Sequence, residues 1–387
     1  MKWIHTADWH LGKLVQGVYM TEDQRFVLEQ LLQTIEEERP DAVLIAGDLY
    51  DRAVPPTEAV ELLSDTLHRI IIDLDTPVLA IAGNHDSPDR LDFAARIMQH
   101  RGLHLAGRLR KEMEPVVLHD EAGEVHFHLV PYADPAQARH LLEDESIRTH
   151  DDMMCAITAR IKERMHPNAR HVLIGHAFVT PHGEPRDNTS DSERPLAIGG
   201  AEHVRAEWLR AFHYTALGHL HQAHHVGHES IRYAGSPLKY SISEENHRKG
   251  FYIVELAASG EVHIEKRLLT PLRDLRRVTA KLEELLTHPV NEDYVFVTLL
   301  DEHPVLQPME KVRTVYPNAL HVERRPQSAG SAKSLETGAT QARREADPIE
   351  LFAAFYEEVQ GRQITKSQQD LLADTWNELL RTEGDGV

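Results

Sequence analysis

Ala42-Val43-Leu44-Ile45-Ala46-Gly47-Asp48-Leu49-Tyr50-Asp51-Arg52 is the stretch on which the fold turns. Five apolar residues in succession read as a strand buried on both faces, and Gly47 stops the run just before a polar cluster. The same pattern occurs on either side. Trp3–Ala7 runs into Asp8-Trp9-His10, and Pro77-Val78-Leu79-Ala80-Ile81-Ala82 runs into Gly83-Asn84-His85-Asp86. Helical spacing fills the gaps, first with Val27, Leu28, Leu31, Leu32 and Ile35, which Pro40 ends, then with Val60, Leu63, Leu67, Ile70 and Ile71. Thr21 with Gln24 predicts a capping box ahead of the first helix. A β-α-β-α-β order of this kind predicts an α/β domain.

Further along, strands are predicted at Val125–Tyr132, His171–Ile174, Tyr214–Leu217, Ile231–Ala234, Phe251–Leu256 and Val262–Leu268, with a helix over Asp151–Met165. So many late strands predict a layered sandwich of two β-sheets flanked by helices. The pattern changes near Pro271. Leu275–Glu323 reads as strand, helix (Ala280–Leu286), strand (Tyr294–Leu300), helix (Pro308–Val315) and strand (Leu320–Glu323), a small α/β module. Residues 327–346 are rich in Ser, Ala, Gly, Thr and Gln and read as a flexible linker. Two amphipathic helices are expected after Pro348, with stripes Leu351/Phe352/Phe355/Tyr356/Val359 and Leu371/Leu372/Trp376/Leu379/Leu380. Helices on a tether bury little of their own apolar surface, so docking on a partner protein is expected. The expected layout is 1–270, 271–326, a linker 327–346, and helices in 347–387.

The 387 residues are 41 % hydrophobic and 27 % charged, which excludes a wholly disordered chain. Forty-two basic against 62 acidic residues leave a net charge of −20. A free-standing tight nucleic-acid binder is more often basic, so a polyanionic substrate would need local positive charge, metal ions or a partner. No apolar run is long enough to span a membrane, and the first eight residues lack the apolar stretch of a signal peptide. With the single cysteine, Cys155, these features predict a reducing, cytoplasmic setting.

Sites in open α/β sheets form at the carboxyl ends of strands. The three clusters above converge there, and Gly175-His176 and Gly218-His219-Leu220-His221 end two later strands. Asp8, His10, Asp48, Asn84, His176, His219 and His221 together offer carboxylate oxygen, amide oxygen and imidazole nitrogen. That mixture suits Mn, Fe or Zn. Seven side chains are too many for one ion, so two are expected, with Asp48 as the bridging carboxylate. Such a pair clamps a phosphate and makes a water acidic enough to attack it. The plainer alternative is that these are turn and cap residues with scattered core histidines. Five clusters in order, each at a strand end, argue against it.

The set resembles the calcineurin-like metallophosphoesterase superfamily. More narrowly it resembles the SbcD family, the nuclease subunits of bacterial SbcCD complexes. The narrower likeness rests on His5-Thr6-Ala7-Asp8-Trp9-His10-Leu11-Gly12-Lys13, on Gly83-Asn84-His85-Asp86-Ser87-Pro88 and on Gly235-Ser236-Pro237-Leu238-Lys239-Tyr240-Ser241. It also rests on the small module, linker and Asp347–Phe352 downstream. The resemblance implies one metal on Asp8, His10, Asp48 and His221, and another on Asp48, Asn84, His176 and His219. It implies that His85 is no ligand but faces the scissile phosphate, with Asp51 as the acidic partner that orients it. It further implies a Mn-dependent double-strand exonuclease and single-strand or hairpin endonuclease working with SbcC, a coiled-coil ATPase. A capping domain over 271–326 would contact DNA, and homodimers would form through helices near Pro56–Asp73 and Arg90–His100. The chain has no Gly-x-x-x-x-Gly-Lys-Ser/Thr loop, so ATP use falls to the partner. A phosphatase or cyclic-nucleotide phosphodiesterase shares the core motifs, and a non-catalytic scaffold would lack His85 or a ligand.

Other residues are expected to be bland. His224, His225 and His228 read as a solvated loop, His68, His100 and His104 as surface residues, and Cys155 as inert packing. Arg52 either touches phosphate or forms a local salt bridge, and Asp86 hydrogen-bonds its loop.

Overall fold

The structure is a computed structural model that describes residues 1–184, 189–193, 202–325, 352–353, 356–357, 361–369, 371–372 and 375. It divides into two compact units, Met1–Leu275 and Arg276–Val387. In the first, two six-stranded sheets form the expected layered sandwich. One runs Val262–Leu268, Gly250–Leu256, Lys2–Thr6, Ala42–Ile45, Val78–Ile81, Leu103–Ala106. The other runs His224–Val226, His228–Tyr233, Tyr214–Gly218, Arg170–His176, Gly123–Val130, Val116–Asp120.

Lys2–Thr6, Ala42–Ile45 and Val78–Ile81 pair in parallel, and so do Arg170–His176 and Tyr214–Gly218. Parallel strands covered on both faces need continuous apolar runs, and these have them. Trp3, Leu44, Leu79 and Val254 from one sheet pack with Phe127, Val172, Ile174 and Tyr214 from the other. The Trp3 ring meets Phe127 and Tyr214 edge-on, with centroids 5.6 and 5.7 Å away. Burying each such side chain stabilises the fold by roughly 1.5–3 kcal/mol, and Trp3→Ala would cost about 3–5 kcal/mol. His5 also joins the sheets, through Tyr214 Oη at 2.9 Å and the Leu217 carbonyl at 3.2 Å.

Three local expectations are corrected. The helix Thr21–Glu38 starts at Thr21 itself, behind Met20, with no side-chain cap. Gln24 is instead drawn inward: it donates to the carbonyls of Trp9 and His10 and accepts from the Gly12 N–H. In Thr57–His68 the buried face is Ala59, Leu62, Leu63 and Thr66, while Val60 is exposed, so the apolar stripe is turned by about a residue. Close approach explains this, because Gly12 lies against Pro56 and Ala59 where a larger side chain would clash. Finally, His224–Val226 and His228–Tyr233 form an antiparallel edge pair rather than a loop. His224 stacks on Tyr233 with centroids 5.0 Å apart.

The second unit holds the strands Leu275–Ala280, Tyr294–Leu299 and Ala319–Arg324, with short helices at Leu282–Leu285 and Pro308–Arg313. Its core is Val295, Val297, Leu299, Val312 and Val315. The linker expected at 327–346 lies outside the described residues, as does most of 347–387 with its two expected helices.

Candidate metal centre

Parallel pairing brings the ends of five strands to one place, and with them the polar clusters. Contacts between the sheets close the site. The His219 N–H donates to Asp8 Oδ1 at 2.9 Å, and His176 Nδ1 donates to the Ala46 carbonyl at 2.9 Å. Glycine is needed where the turns touch. A Cβ on Gly83 would lie 2.1 Å from Asp48 Oδ1, and one on Gly218 1.9 Å from the Ala46 oxygen. Four candidate ligands have left-handed backbone: Asp8 (φ 53°), His10 (47°), Asp48 (50°) and His219 (104°). Each such residue costs about 1–3 kcal/mol and persists only where its surroundings over-determine it.

All seven residues predicted as ligands are present in this region, and the described distances link them in a chain. His221 Nε2 is 3.0 Å from His10 Nε2, which is 3.6 Å from Asp48 Oδ2. Asp48 Oδ2 is 3.5 Å from His176 Nε2, and that nitrogen is 2.9 Å from Asn84 Oδ1. Ligand atoms of Asp8, Asp48 and His176 all lie within 4.8 Å of one another. The rings of His219 and His176 meet edge-on at 5.5 Å. All of these side chains are buried except Asn84, which is half-buried.

The donor set fits cations. A carbonyl oxygen only accepts, so His176 carries a hydrogen on Nδ1, which leaves Nε2, the atom facing the oxygens of Asn84 and Asp48, as the one that could ligate a cation. His10 and His221 point Nε2 at each other. Asp8 Oδ2 and His10 Nδ1 are buried without a hydrogen-bond partner. Leaving such groups unsatisfied costs about 1–3 kcal/mol each, more for a charged one. A divalent ion beside Asp8 Oδ2 and the facing Nε2 atoms would satisfy those groups, while His10 Nδ1 lies 3.8 Å from Asp51 Oδ1. Burial would depress the His176 imidazole, yet Asp48 and Asp8 hold it up at about 9, so without a cation the ring keeps a second hydrogen on Nε2, which a metal ion would displace. Burial would raise the Asp48 carboxyl, but His176 and His10 keep it well below the usual carboxylate range. Asp8, with less compensation, is pushed by burial up to about 7. Burial drives His10 and His219 well below the usual imidazole range, which keeps them neutral as ligands must be.

His85 sits at the rim of this chain, its ring edge-on to His10 at 4.6 Å. Its N–H donates to Asp48 Oδ1 at 2.9 Å, and its Nδ1 donates to the Asp51 carbonyl at 2.8 Å. The described bond from Asp51 to this ring is therefore a backbone one, while the Asp51 carboxylate pairs with Lys13 Nζ at 2.8 Å. Atoms of His10, Asp51 and His85 nevertheless lie within 4.8 Å of one another. Asp86 accepts from the N–H groups of Leu49, Tyr50 and Gly83, and so ties two of the loops together. Burial, with Asp48 nearby, raises its carboxyl to about 7.

Sequence reasoning missed the residues behind the ligands. Gln24 and Tyr240 both bond the Trp9 carbonyl. Glu244 and Lys249 form a buried ion pair beneath His221. Tyr240 lies in the Gly235–Ser241 motif, which gave a signal; Glu244 and Lys249 sit in an ordinary polar loop and gave none.

Residues 1–239 match the calcineurin-like phosphoesterase family, and residues 271–360 match the Type 5 capsule protein repressor C-terminal domain. The SbcD chain of the nuclease SbcCD from Staphylococcus epidermidis is 33 % identical over 324 residues, 83 % of this chain and 84 % of its own. Among solved structures, a dimetal phosphatase from Danio rerio covers 69 % of this chain and 96 % of its own at 14 % identity and a TM-score of 0.43. A protein of Thermus thermophilus covers 68 % and 98 % at 10 % identity and a TM-score of 0.38.

Proposed function

The chain belongs to the calcineurin-like phosphoesterase family and, within it, to the SbcD nuclease subunits, and on that premise we propose that it hydrolyses DNA phosphodiester bonds as the nuclease subunit of an SbcCD-type complex. The observation that carries this reading is the relatedness to a nuclease subunit along 83 % of the chain, where a small-substrate phosphatase would share the core motifs alone.

In this reading Asp8, His10, Asp48 and His221 would hold one divalent ion, and Asp48, Asn84, His176 and His219 would hold the other. Manganese is the proposed metal, since imidazole nitrogens are prominent among the donors. Bound there, the ions supply Lewis acidity to the phosphate and the attacking nucleophile. The rest falls to the protein. Hydrolysis forms a bond from a water oxygen to phosphorus and breaks one P–O ester bond, so the departing oxygen needs a proton. In this reading His85 gives it as an imidazolium: the Asp51 carbonyl accepts the hydrogen on Nδ1, and the second hydrogen, on Nε2, passes to the departing oxygen. Lys13 steadies Asp51, and Asp86 steadies the loops bearing Asp48 and His85. Four left-handed residues hold their side chains in place before substrate arrives, which spares reorganisation during reaction.

The wider assembly is proposed with it. Helices in 347–387 bind the coiled coil of an SbcC-type ATPase, the module over 271–326 contacts DNA, and two such chains pair within a heterotetramer. Because the chain carries −20, basic surface on the ATPase supplies much of the affinity for DNA. The complex works in the cytoplasm in DNA repair, recombination and replication; among the described residues no helix is long and apolar enough to cross a membrane. Digestion of a DNA hairpin with Mn, with and without SbcC and ATP, tests the reading: cleavage is expected, enhanced by the partner. Hydrolysis of phosphomonoesters with no action on DNA would refute it. Deleting 347–387 should abolish co-purification with SbcC, and retained binding would remove the tail's role.

A further inference from the structure

His221 differs from His176 in what stands behind the ring. His176 leans on one backbone carbonyl. His221 Nδ1 instead faces the Glu244 carboxylate at 3.1 Å and the Ser192 hydroxyl at 2.8 Å, and its backbone N–H donates to Glu193 Oε1 at 2.6 Å. Glu244 is wholly buried, and a buried carboxylate must be paired. Lys249, itself buried, donates to one of its oxygens, and Ser192 donates to the other. The Ser192 hydrogen is thus committed to Glu244, leaving its oxygen free to accept. Both groups facing Nδ1 are therefore acceptors, so Nδ1 carries the hydrogen and the lone pair lies on Nε2, the atom 3.0 Å from His10.

Ser192 and Glu193 lie in the chain between the strands Phe178–Thr180 and His203–Arg205. Their segment is docked on the turn Ile242–Glu244, where the Asp191 N–H donates to Ser243 Oγ at 3.0 Å. Two pieces of chain that give no ligand thus set the orientation of one.

We propose that Glu244 and Ser192 are positioning residues for His221, so that docking of the 189–193 segment tunes the affinity of one ion of the pair and not the other. The proposal rests on the metal-centre reading above. A carboxylate behind a ligating imidazole fixes its tautomer and raises its basicity, and losing such a partner costs about 10–100-fold in metal affinity. Among the described residues the hydrogen bond behind His176 goes to a backbone carbonyl, with the Asp8 carboxylate beyond hydrogen-bond reach at 3.9 Å, so the effect is expected at the ion that His221 would hold.

Titration calorimetry of the full chain, stripped of metal and given Mn²⁺, reads both sites. Wild type is expected to take two ions. Ser192→Ala and Glu244→Gln should each weaken one site by about 10–100-fold and spare the other, and Ser192→Thr, which keeps the hydroxyl, should restore it. Burial would lower the His221 imidazole but Glu244 raises it above the usual range, so the tautomer is read at a pH high enough to leave the ring neutral: metal-free protein labelled with ¹⁵N should then show the Nδ1–H form in wild type and in Ser192→Thr, and a mixture in Glu244→Gln. Ser192→Ala removes one half-buried hydroxyl and leaves the Glu244–Lys249 pair intact, so its result stands even if Glu244→Gln does not fold. Two sites unchanged in Ser192→Ala, or both weakened equally, would overturn the proposal. No Mn²⁺ uptake by wild type would overturn the metal-centre reading itself, a different outcome from either.

Discussion

Gly83→Ala tests the site without removing any functional group. Gly83 lies next to Asn84, and its missing side chain is the space that Asp48 fills. An added Cβ would sit 2.1 Å from Asp48 Oδ1 and 2.4 Å from its backbone nitrogen. Ordinary contact begins at 3.4 Å, so the two loops would have to part by about 1.3 Å. Neither loop can give way freely. Asp48 Oδ1 accepts from the His85 N–H, and Asp86 binds Gly83, Leu49 and Tyr50 together. A misplacement of about 1 Å in a site of this kind costs on the order of 100-fold in rate, or about 2.7 kcal/mol of activation free energy. Overpacking should also cost about 1–3 kcal/mol of stability. The assay is Mn-dependent hydrolysis of bis(p-nitrophenyl) phosphate at 20 °C, with Mn²⁺ affinity and thermal unfolding measured on the same preparation. Expected are a rate at least about 100-fold down and weakened metal binding in a protein that still unfolds cooperatively. A rate within threefold of wild type, with unchanged metal affinity, would show that the close fit of Gly83 against Asp48 does not set the geometry.

His85→Ala should lower hydrolysis by about 10²–10⁴-fold while both Mn²⁺ ions still bind; loss of metal uptake would place His85 among the ligands instead. Chelation should abolish hydrolysis, and Mn²⁺ should restore it better than Mg²⁺, because magnesium prefers oxygen donors; the opposite order would count against the nitrogen-rich assignment. A third expectation concerns stability. Burial lowers the His5 imidazole from 6.5 to about 3. The folded state therefore favours the neutral ring, so its contribution is whole above pH 6.5 and is lost as pH falls from there towards 3. The loss should amount to about 1.4 kcal/mol per pH unit, or at most about 2 kcal/mol between pH 6.5 and 5. Urea unfolding of metal-free protein should show a shallower acid-side slope in His5→Gln than in wild type, and identical slopes would assign the pH dependence elsewhere.

Much of the architecture could be read along the chain because its signals are local. An apolar run ended by glycine and a polar cluster identifies a strand buried on both faces whose tip carries chemistry. The runs at Trp3–Ala7, Ala42–Ala46 and Pro77–Ala82 became neighbouring parallel strands. The module after Leu275 also kept its order of elements, with shorter helices. Short or polar elements escaped notice, such as Leu103–Ala106, Val116–Asp120 and Pro135–Leu142, since four to eight residues give weak periodicity.

The candidate ligands were legible for the same reason, as each follows a recognisable strand. Sequence alone therefore determined the α/β class, the residue types of the site and their place at strand ends, because local hydrophobic pattern and turn chemistry carry that information. Only the tertiary structure decided which nitrogen of His176 and His221 is free, why Gly83 and Gly218 admit no side chain, and that Gln24, Glu244 and Lys249 serve the site from far along the chain. Those outcomes depend on packing two sheets face to face and on satisfying every polar group buried between them, and neither condition leaves a trace in the spacing of residues.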